Sequence, residues 1–301
     1  MRIELDKIKD IGNLDILARQ LVEGFVTGLH KSPYHGFSVE FSEHRLYNTG
    51  ESTKHVDWKV FAKTDRLYTK QYEEETNLRC LIILDNSSSM RYPDDSQGKI
   101  KFSIIASAAL CYLLQRQRDA VGICSFSNEI EVMTEQKSTS THLNKLLGQL
   151  QHVFDNKIKN KTTSTASILH EIAEKIHKRS LVILFSDMFD SNEDLEGIFA
   201  GLQHLKHKKH EVLLFHVSDK NTEYDFEFAD RPHEFIDLES GEKIKLQPAD
   251  IKDHFKSEAR KFYKTLKMKC AQMKIDLIEA DINQDYNEIL KAYLIKRSKL
   301  K

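Results

Sequence analysis

The sequence lacks a charge excess of either sign, a Cys-x-x-Cys pair and an apolar run long enough to span a bilayer. A formal net charge of -1 over 301 residues removes the general electrostatic argument for nucleic acid, which needs a basic excess or stripe. The local basic cluster Lys206-His207-Lys208-Lys209-His210 is offset by acidic stretches such as Glu73-Glu74-Glu75. Cys80, Cys111, Cys124 and Cys270 are scattered, and those inside apolar runs read as small core hydrophobes rather than a disulfide framework. The longest apolar run, Ser103 to Leu114, is closed by Lys101 and Arg116, well short of the roughly 18 residues a spanning helix needs. Met1-Arg2-Ile3-Glu4-Leu5-Asp6 carries acids where a secretory signal needs a basic and then an apolar region, so a soluble, cytoplasmic protein without a transmembrane segment is expected. No Gly-x-x-x-x-Gly-Lys loop and no Gly-x-Ser-x-Gly elbow occurs, which argues against nucleotide hydrolysis and against a serine hydrolase.

What is present is an alternation. Leu81-Ile82-Ile83-Leu84, Val121-Gly122-Ile123-Cys124, Leu181-Val182-Ile183-Leu184-Phe185 and Val212-Leu213-Leu214-Phe215 are short continuous apolar runs, as expected of strands covered on both faces. Between them, helical spacing marks Ile100 to Arg116, His142 to Val153, Ala166 to His177 and Glu193 to Leu205. Pro248 suits a first helical turn, Ile275 to Ala280 reads as a last strand, and Tyr286, Ile289, Leu290, Tyr293 and Leu294 as a final amphipathic helix. Glu129 to Met133 follows its neighbour so closely that it must return antiparallel at an edge. The expected class is α/β, a mostly parallel sheet flanked by helices. Residues 26–78 and 218–247 break the rhythm and read as a small β-rich appendage, with Glu239-Ser240-Gly241-Glu242 as a turn. The chain therefore divides into 1–78, an N-terminal helix and β-rich segment, and 79–301, an α/β domain with a β-rich insertion at about 218–247.

Ligands of parallel α/β sheets sit beyond the carboxyl ends of the strands. There the sequence places Asp85, Ser87 and Ser89 after one strand, Asp187 after another, and the hydroxyls of Thr162-Thr163-Ser164-Thr165 before a helix. Two carboxylates with neutral hydroxyls, and no thiolate or histidine, suit a hard cation: Mg²⁺ first, with Mn²⁺ or Ca²⁺ as alternatives. The plain alternative is a turn-and-cap cluster closing a buried strand.

Asp85-x-Ser87-x-Ser89 with a later threonine and a later aspartate resembles the metal-ion-dependent adhesion site of von Willebrand factor A domains. The resemblance implies that Ser87, Ser89 and Thr163 give hydroxyls to the metal, with Asp85 and Asp187 acting directly or through water. Lys161-Thr162 stand where that site has glycines, and Met188 follows Asp187 where glycine is common. Upstream, Gly28-Leu29-His30-Lys31-Ser32-Pro33, Gly36, Glu40-Phe41, Arg45-x-Tyr47, Gly50-Glu51, Val56-Asp57-Trp58, Ala62-Lys63 and Lys70 resemble the bacterial domain-of-unknown-function family fifty-eight, which joins such a segment to a von Willebrand A-like domain. That resemblance implies a non-enzymatic adaptor that binds a carboxylate-bearing protein ligand and works with a MoxR-type AAA+ ATPase. Arg45, Asp57, Trp58 and Lys70 are then either partner contacts or internal tethers of the segment.

Two rivals remain on the residues alone. A Mg²⁺-dependent phosphatase would use Asp85 as nucleophile, but Ser87 occupies the position where such an enzyme wants a second acid. His204, His207 and His210 recur three apart, which reads either as a zinc set or as a basic helix end.

Overall fold

Residues that must be dry on both faces end up in the middle of the sheet, and here they also place the loops that matter. The structure, a computed structural model, describes residues 14–29, 44–46, 58–70, 78–93, 98–155, 165–189, 195–238 and 241–298. The chain forms two compact units, residues 28–77 and the remainder. Helix α1 (Leu14–Leu29) begins in the larger unit, which includes it as far as Thr27.

In the smaller unit, β1 (His44–Leu46) pairs antiparallel with β2 (Tyr68–Lys70), with Arg45 opposite Thr69 and Lys70 opposite His44. Between them lies α2 (Trp58–Thr64), which ends where Asp65 turns to a positive φ of 52° and donates its N–H to the Phe61 carbonyl. Alongside its two strands the segment contains α2, which the β-rich reading did not include. Its seven residues make barely two turns, too few for a helical period to show in the sequence.

The larger unit continues with β3 (Arg79–Asp85), α3 (Gly98–Arg116), β4 (Ala120–Phe126), β5 (Ile130–Met133), α4 (Ser140–Asp155), α5 (Thr165–Lys175), β6 (Leu181–Ser186), α6 (Leu195–His207), β7 (Glu211–Ser218), β8 (His233–Ile236), β9 (Lys243–Leu246), α7 (Pro248–Gln272), β10 (Asp276–Asp281) and α8 (Asn287–Ser298). The central sheet runs β10-β7-β6-β3-β4-β5, parallel except for β5, which returns antiparallel at the edge as its short connection requires. Counted in chain order within this sheet, the strands lie 3-2-1-4-5-6, a doubly wound arrangement whose direction reverses between β3 and β6.

Alternate residues of each strand face opposite layers. Leu81 and Ile83, Val182 and Leu184, Val212 and Leu214, with Cys124 and Phe126, pack against Ile168, Leu169 and Ile172 of α5, Ile198 and Leu202 of α6, and Leu266 and Cys270 of α7. On the sheet's other side lie α3 and α8, with α4 beside α3. Helix α3 is buried almost all round, which explains its lack of a polar face: besides the sheet it meets α4, α8 and α1, whose Arg19 guanidinium lies 5.8 Å from the Tyr112 ring. All four cysteines are buried and unpaired. Among the described residues, no helix is long and apolar enough to cross a membrane.

Only part of the expected β-rich insertion is strand. β8 and β9 form their own antiparallel hairpin, turned by Gly241 at a φ of 75°. Residues Lys220–Tyr224 instead make a π-helical turn, and Phe226 takes a φ of 47°. The alternation of Phe226 and Phe228 comes from ring packing. Phe226 stands 4.6 Å from Phe255 and 5.9 Å from Phe235, with Phe228 4.9 Å away.

Helices α5 and α6 touch at Gly201, where a Cβ would come within 2.9 Å of the Leu169 Cβ and 3.1 Å of the Ala166 carbonyl. Gly201→Val is therefore expected to destabilise the chain by about 1–3 kcal/mol through overpacking, read as a lower urea midpoint. An unchanged midpoint would contradict this close approach.

Candidate functional site at the switch point

The strand order reverses between β3 and β6, at whose carboxyl ends sheets of this kind take their ligands, and both strands end in acids or hydroxyls. Asp85 closes β3 with a fully buried side chain, and Ser186 and Asp187 leave β6 beside it. The parallel register, Leu84 against Phe185, brings the two ends level. Both Asp85 oxygens are engaged: Oδ1 accepts the Ser87 N–H at 3.0 Å, and Oδ2 accepts the Ser186 hydroxyl at 2.7 Å. Ser87 Oγ and Ser89 Oγ lie 3.0 Å apart. Asp85, Ser87, Ser89 and Asp187 thus share one place in the fold. Thr163 lies outside the described residues, as does Asp57. Arg45, Trp58 and Lys70 fall in β1, α2 and β2 of the smaller unit.

Around the loop a second set of groups holds it rigid. The Asn86 amide donates to Glu131 at 2.8 Å and accepts from Arg91 at 2.8 Å, and Ser127 donates to Glu131 at 2.7 Å. These bonds tie the β3 loop to the edge strand β5. On the other side, Ser186 Oγ accepts the Met188 N–H at 2.8 Å. Met188 sits at a φ of 55° and is 1% exposed, a left-handed conformation that costs of order 1–3 kcal/mol in a non-glycine residue and that this hydrogen bond and burial maintain. Phe189, next in the chain, is 55% exposed at the rim.

Sequence reasoning missed Lys99, at the start of α3. Its buried ammonium donates to Asp187 Oδ2 at 2.8 Å and to Glu223 Oε1 at 2.5 Å. The only signal is a lysine in the first turn of a largely apolar helix. Glu223 comes from the turn after β7, and its other oxygen accepts the Asp219 N–H at 2.8 Å. His216, on β7, bonds Tyr224 Oη through Nε2 at 3.0 Å.

The electrostatics follow from this burial. Desolvation, then the neighbouring Asp187 charge, push the Asp85 carboxyl up to about 7, with the Ser186 and Ser87 hydrogen bonds opposing. Burial would lower the Lys99 ammonium, but Asp187 and Glu223 outweigh it and hold it above its ordinary value. Burial drives His216 down to about 4, so it is neutral at physiological pH. Lys99 is one cation among three acids, Asp85, Asp187 and Glu223, an imbalance that a divalent cation would offset.

The donor set fits a hard cation. Cis oxygens around an octahedral Mg²⁺, at roughly 2.0–2.1 Å from the ion, are about 2.9 Å apart, close to the 3.0 Å between Ser87 Oγ and Ser89 Oγ. Among the described residues, no set of three or more His, Cys, Asp or Glu side chains is arranged to hold a metal. The histidine series is dispersed: His204 meets His170 at 2.7 Å and Glu174 at 3.0 Å, while His210 is buried beyond the end of α6, near Ser180.

Fold and site together define a doubly wound α/β protein with an oxygen-rich switch-point loop. The family described as "Protein of unknown function DUF58" matches residues 43–265, and the chain belongs to that family. It is 22% identical over 252 residues to the uncharacterized protein Rv1480 of Mycobacterium tuberculosis, covering 80% of this chain and 74% of the relative. The uncharacterized protein Mb1516 of Mycobacterium bovis is similar to the same degree. Among solved structures, the chain resembles the conserved hypothetical protein BatB from Bacteroides thetaiotaomicron, with 11% identity, a TM-score of 0.48, and coverage of 74% of this chain and 99% of that one. It also resembles the SpRpn10 VWA domain, with 11% identity, a TM-score of 0.42, and coverage of 71% and 94%. These likenesses concern the fold alone, and the α/β class itself rests on the strand order.

The raised Asp85 carboxyl has a definite sign in stability. Between the unfolded value near 3.8 and the folded value of about 7, the folded chain holds one proton more than the unfolded chain. Its stability therefore falls as pH rises through that window and levels off above it. In chelator, Asp85→Asn is expected to flatten that slope and to exceed wild type at pH 8 by a few kcal/mol, since each pH step of one across the window costs on the order of 1.4 kcal/mol. Parallel pH–stability curves for the two proteins would show that Asp85 carries no such cost.

Proposed function

We propose that this chain is a non-enzymatic, metal-ion-dependent protein–protein interaction module that serves a MoxR-type AAA+ ATPase as an adaptor. The observation that carries the reading is the pair of serine hydroxyls 3.0 Å apart, next to buried Asp85 at the sheet switch point. Two carboxylates and neutral hydroxyls leave a bound Mg²⁺ electrophilic, so that it accepts a further carboxylate from a protein ligand. In this reading Ser87 and Ser89, with Thr163, two positions before α5, hold the ion, while Asp85 and Asp187 bind it directly or through water. Exposed Phe189 supplies an apolar contact beside it. The ATPase partnership rests on the family resemblance, and Arg45, Asp57, Trp58 and Lys70 are its proposed contacts. A cytoplasmic setting accords with four buried, unpaired thiols.

The phosphatase alternative fares worse on geometry. A nucleophilic Asp85 needs an open approach, and its carboxylate is fully buried with both oxygens accepting hydrogen bonds. Mg²⁺-dependent hydrolysis of p-nitrophenyl phosphate, abolished in Asp85→Asn, would restore that alternative.

The direct test is biolayer interferometry against a purified MoxR-type ATPase from the same organism. Chelator, Asp85→Ala and Ser87→Ala are each expected to weaken capture by about tenfold or more while far-UV circular dichroism stays unchanged. Equal capture with and without Mg²⁺ would refute metal dependence.

A further inference from the structure

Helices α3, α5, α6 and α7 each lead into a parallel strand, so their last turns gather at the sheet's amino edge, the end opposite the candidate metal site. Three of them stop in the same way. After α3 the Asp119 N–H donates to the Leu114 carbonyl at 3.0 Å and the Arg118 N–H to that of Gln115 at 2.9 Å. After α6 the pairs are His210 to Leu205 at 3.1 Å and Lys209 to Lys206 at 2.9 Å, and after α7 they are Ile275 to Cys270 at 2.9 Å and Lys274 to Ala271 at 3.1 Å. This is the two-bond helix cap whose left-handed residue is usually glycine. Here that residue is Arg118, Lys209 or Lys274, at a φ of 60°, 65° or 55°, and Arg179 takes 62° in the turn before β6. A cation near a helix C-terminus gains from the dipole, but by less than glycine would gain in that conformation. Stability alone does not place long cations at these four corners.

Strand order draws them into a row. Lys274, Lys209, Arg179 and Arg118 stand two positions before β10, β7, β6 and β4, and Arg79 opens β3 between the last two. All five residues are exposed. At roughly 4.8 Å per strand the row runs about 19 Å across the sheet. The acids of this edge are matched by other cations: Glu211 by Lys206 and Lys296, Asp276 by Lys296, Glu174 by Lys208, and Asp119 by Arg297. Among the described residues, Arg79, Arg179, Lys209 and Lys274 form no ion pair. A formal net charge of -1 thus conceals a basic end.

We propose that this row is a second docking surface, which takes an extended acidic segment of a protein partner, about six residues long, across the strand starts. Charge complementarity selects a polyanion, and the surroundings select a peptide. Glu211, Asp276 and Glu174 keep side chains 41%, 42% and 57% exposed, so a continuous run of phosphates would press against acids that spaced carboxylates avoid. Among the described residues of the larger unit, the exposed Phe or Tyr side chains are Phe189, beyond the carboxyl end of β6, and Phe255, beside Phe226. Neither lies at this edge, so an unstacked base has no ring to rest on. The surface is independent of the metal site and gives the module two ends for two partners.

The test is fluorescence anisotropy of a labelled deca-glutamate peptide with the full chain, in chelator so that metal binding does not enter. Wild type is expected to bind, and its affinity to fall about tenfold or more between about 50 mM and about 500 mM NaCl. The triple variant Arg179→Gly, Lys209→Gly, Lys274→Gly removes three charges and supplies the residue those left-handed positions favour, so its urea midpoint is expected to hold or rise. Its affinity for the peptide is expected to drop about tenfold or more. Removing the same charge from α7 by Lys256→Gln, Arg260→Gln and Lys264→Gln is expected to leave affinity within about twofold. No binding by wild type, an unchanged triple variant, or an equal loss in the α7 variant overturns the proposal. So does a ten-nucleotide oligothymidylate or a phosphatidylglycerol vesicle that binds about tenfold more tightly than the peptide and is lost in the triple variant, since the row then serves nucleic acid or a membrane.

Discussion

Two carboxylates set close together at the end of a parallel sheet repel each other, and much of this structure is an answer to that repulsion. The register of β3 and β6 leaves no choice about their proximity, since adjacent parallel strands that end level must end together. Moving either acid would mean slipping a strand, which would turn its apolar side chains to the wrong layers. The repulsion is met by donors instead: two hydrogen bonds on Asp85 and, on Asp187, a buried ammonium that also donates to a third acid, Glu223. These groups come from different elements, so the site ties together β3, β6, α3 and the turn after β7.

That arrangement still sets three acids beside one ammonium. Burial raises the energy of every unpaired charge, and removing one partner of a buried pair is costly. On the reading proposed above, a cation bound at this edge would offset that charge. The rigidity of the surroundings has the same sense. Asn86, Glu131, Arg91 and Ser127 brace one side of the loop, and the left-handed Met188 is pinned on the other. Groups held this firmly lose little entropy when they close on a ligand.

The regular elements are legible in the sequence because their causes are local. Continuous apolar runs announce β3, β4, β6 and β7, and spacing announces α3 to α8 together with the antiparallel return of β5. Where local causes are weak, the pattern misleads: α2 is too short to show a period, and the phenylalanines at 226 and 228 alternate because their rings pack edge to face. The site is half legible. Asp85, Ser87, Ser89 and Asp187 stand out because strand ends are where polar residues collect for ligands. Ser186 reads only as the end of a strand, and Lys99 and Glu223 as ordinary surface charge.

The sequence by itself determined the class of fold, the order of elements and the oxygen-rich loops, since each depends on residues near one another in the chain. Only the tertiary structure decided that Lys99, 88 positions before Asp187 and 124 before Glu223, would be buried between them. The physical reason is that burial and charge pairing are properties of neighbours in space. No period or motif along the chain records which helix start will face which strand end.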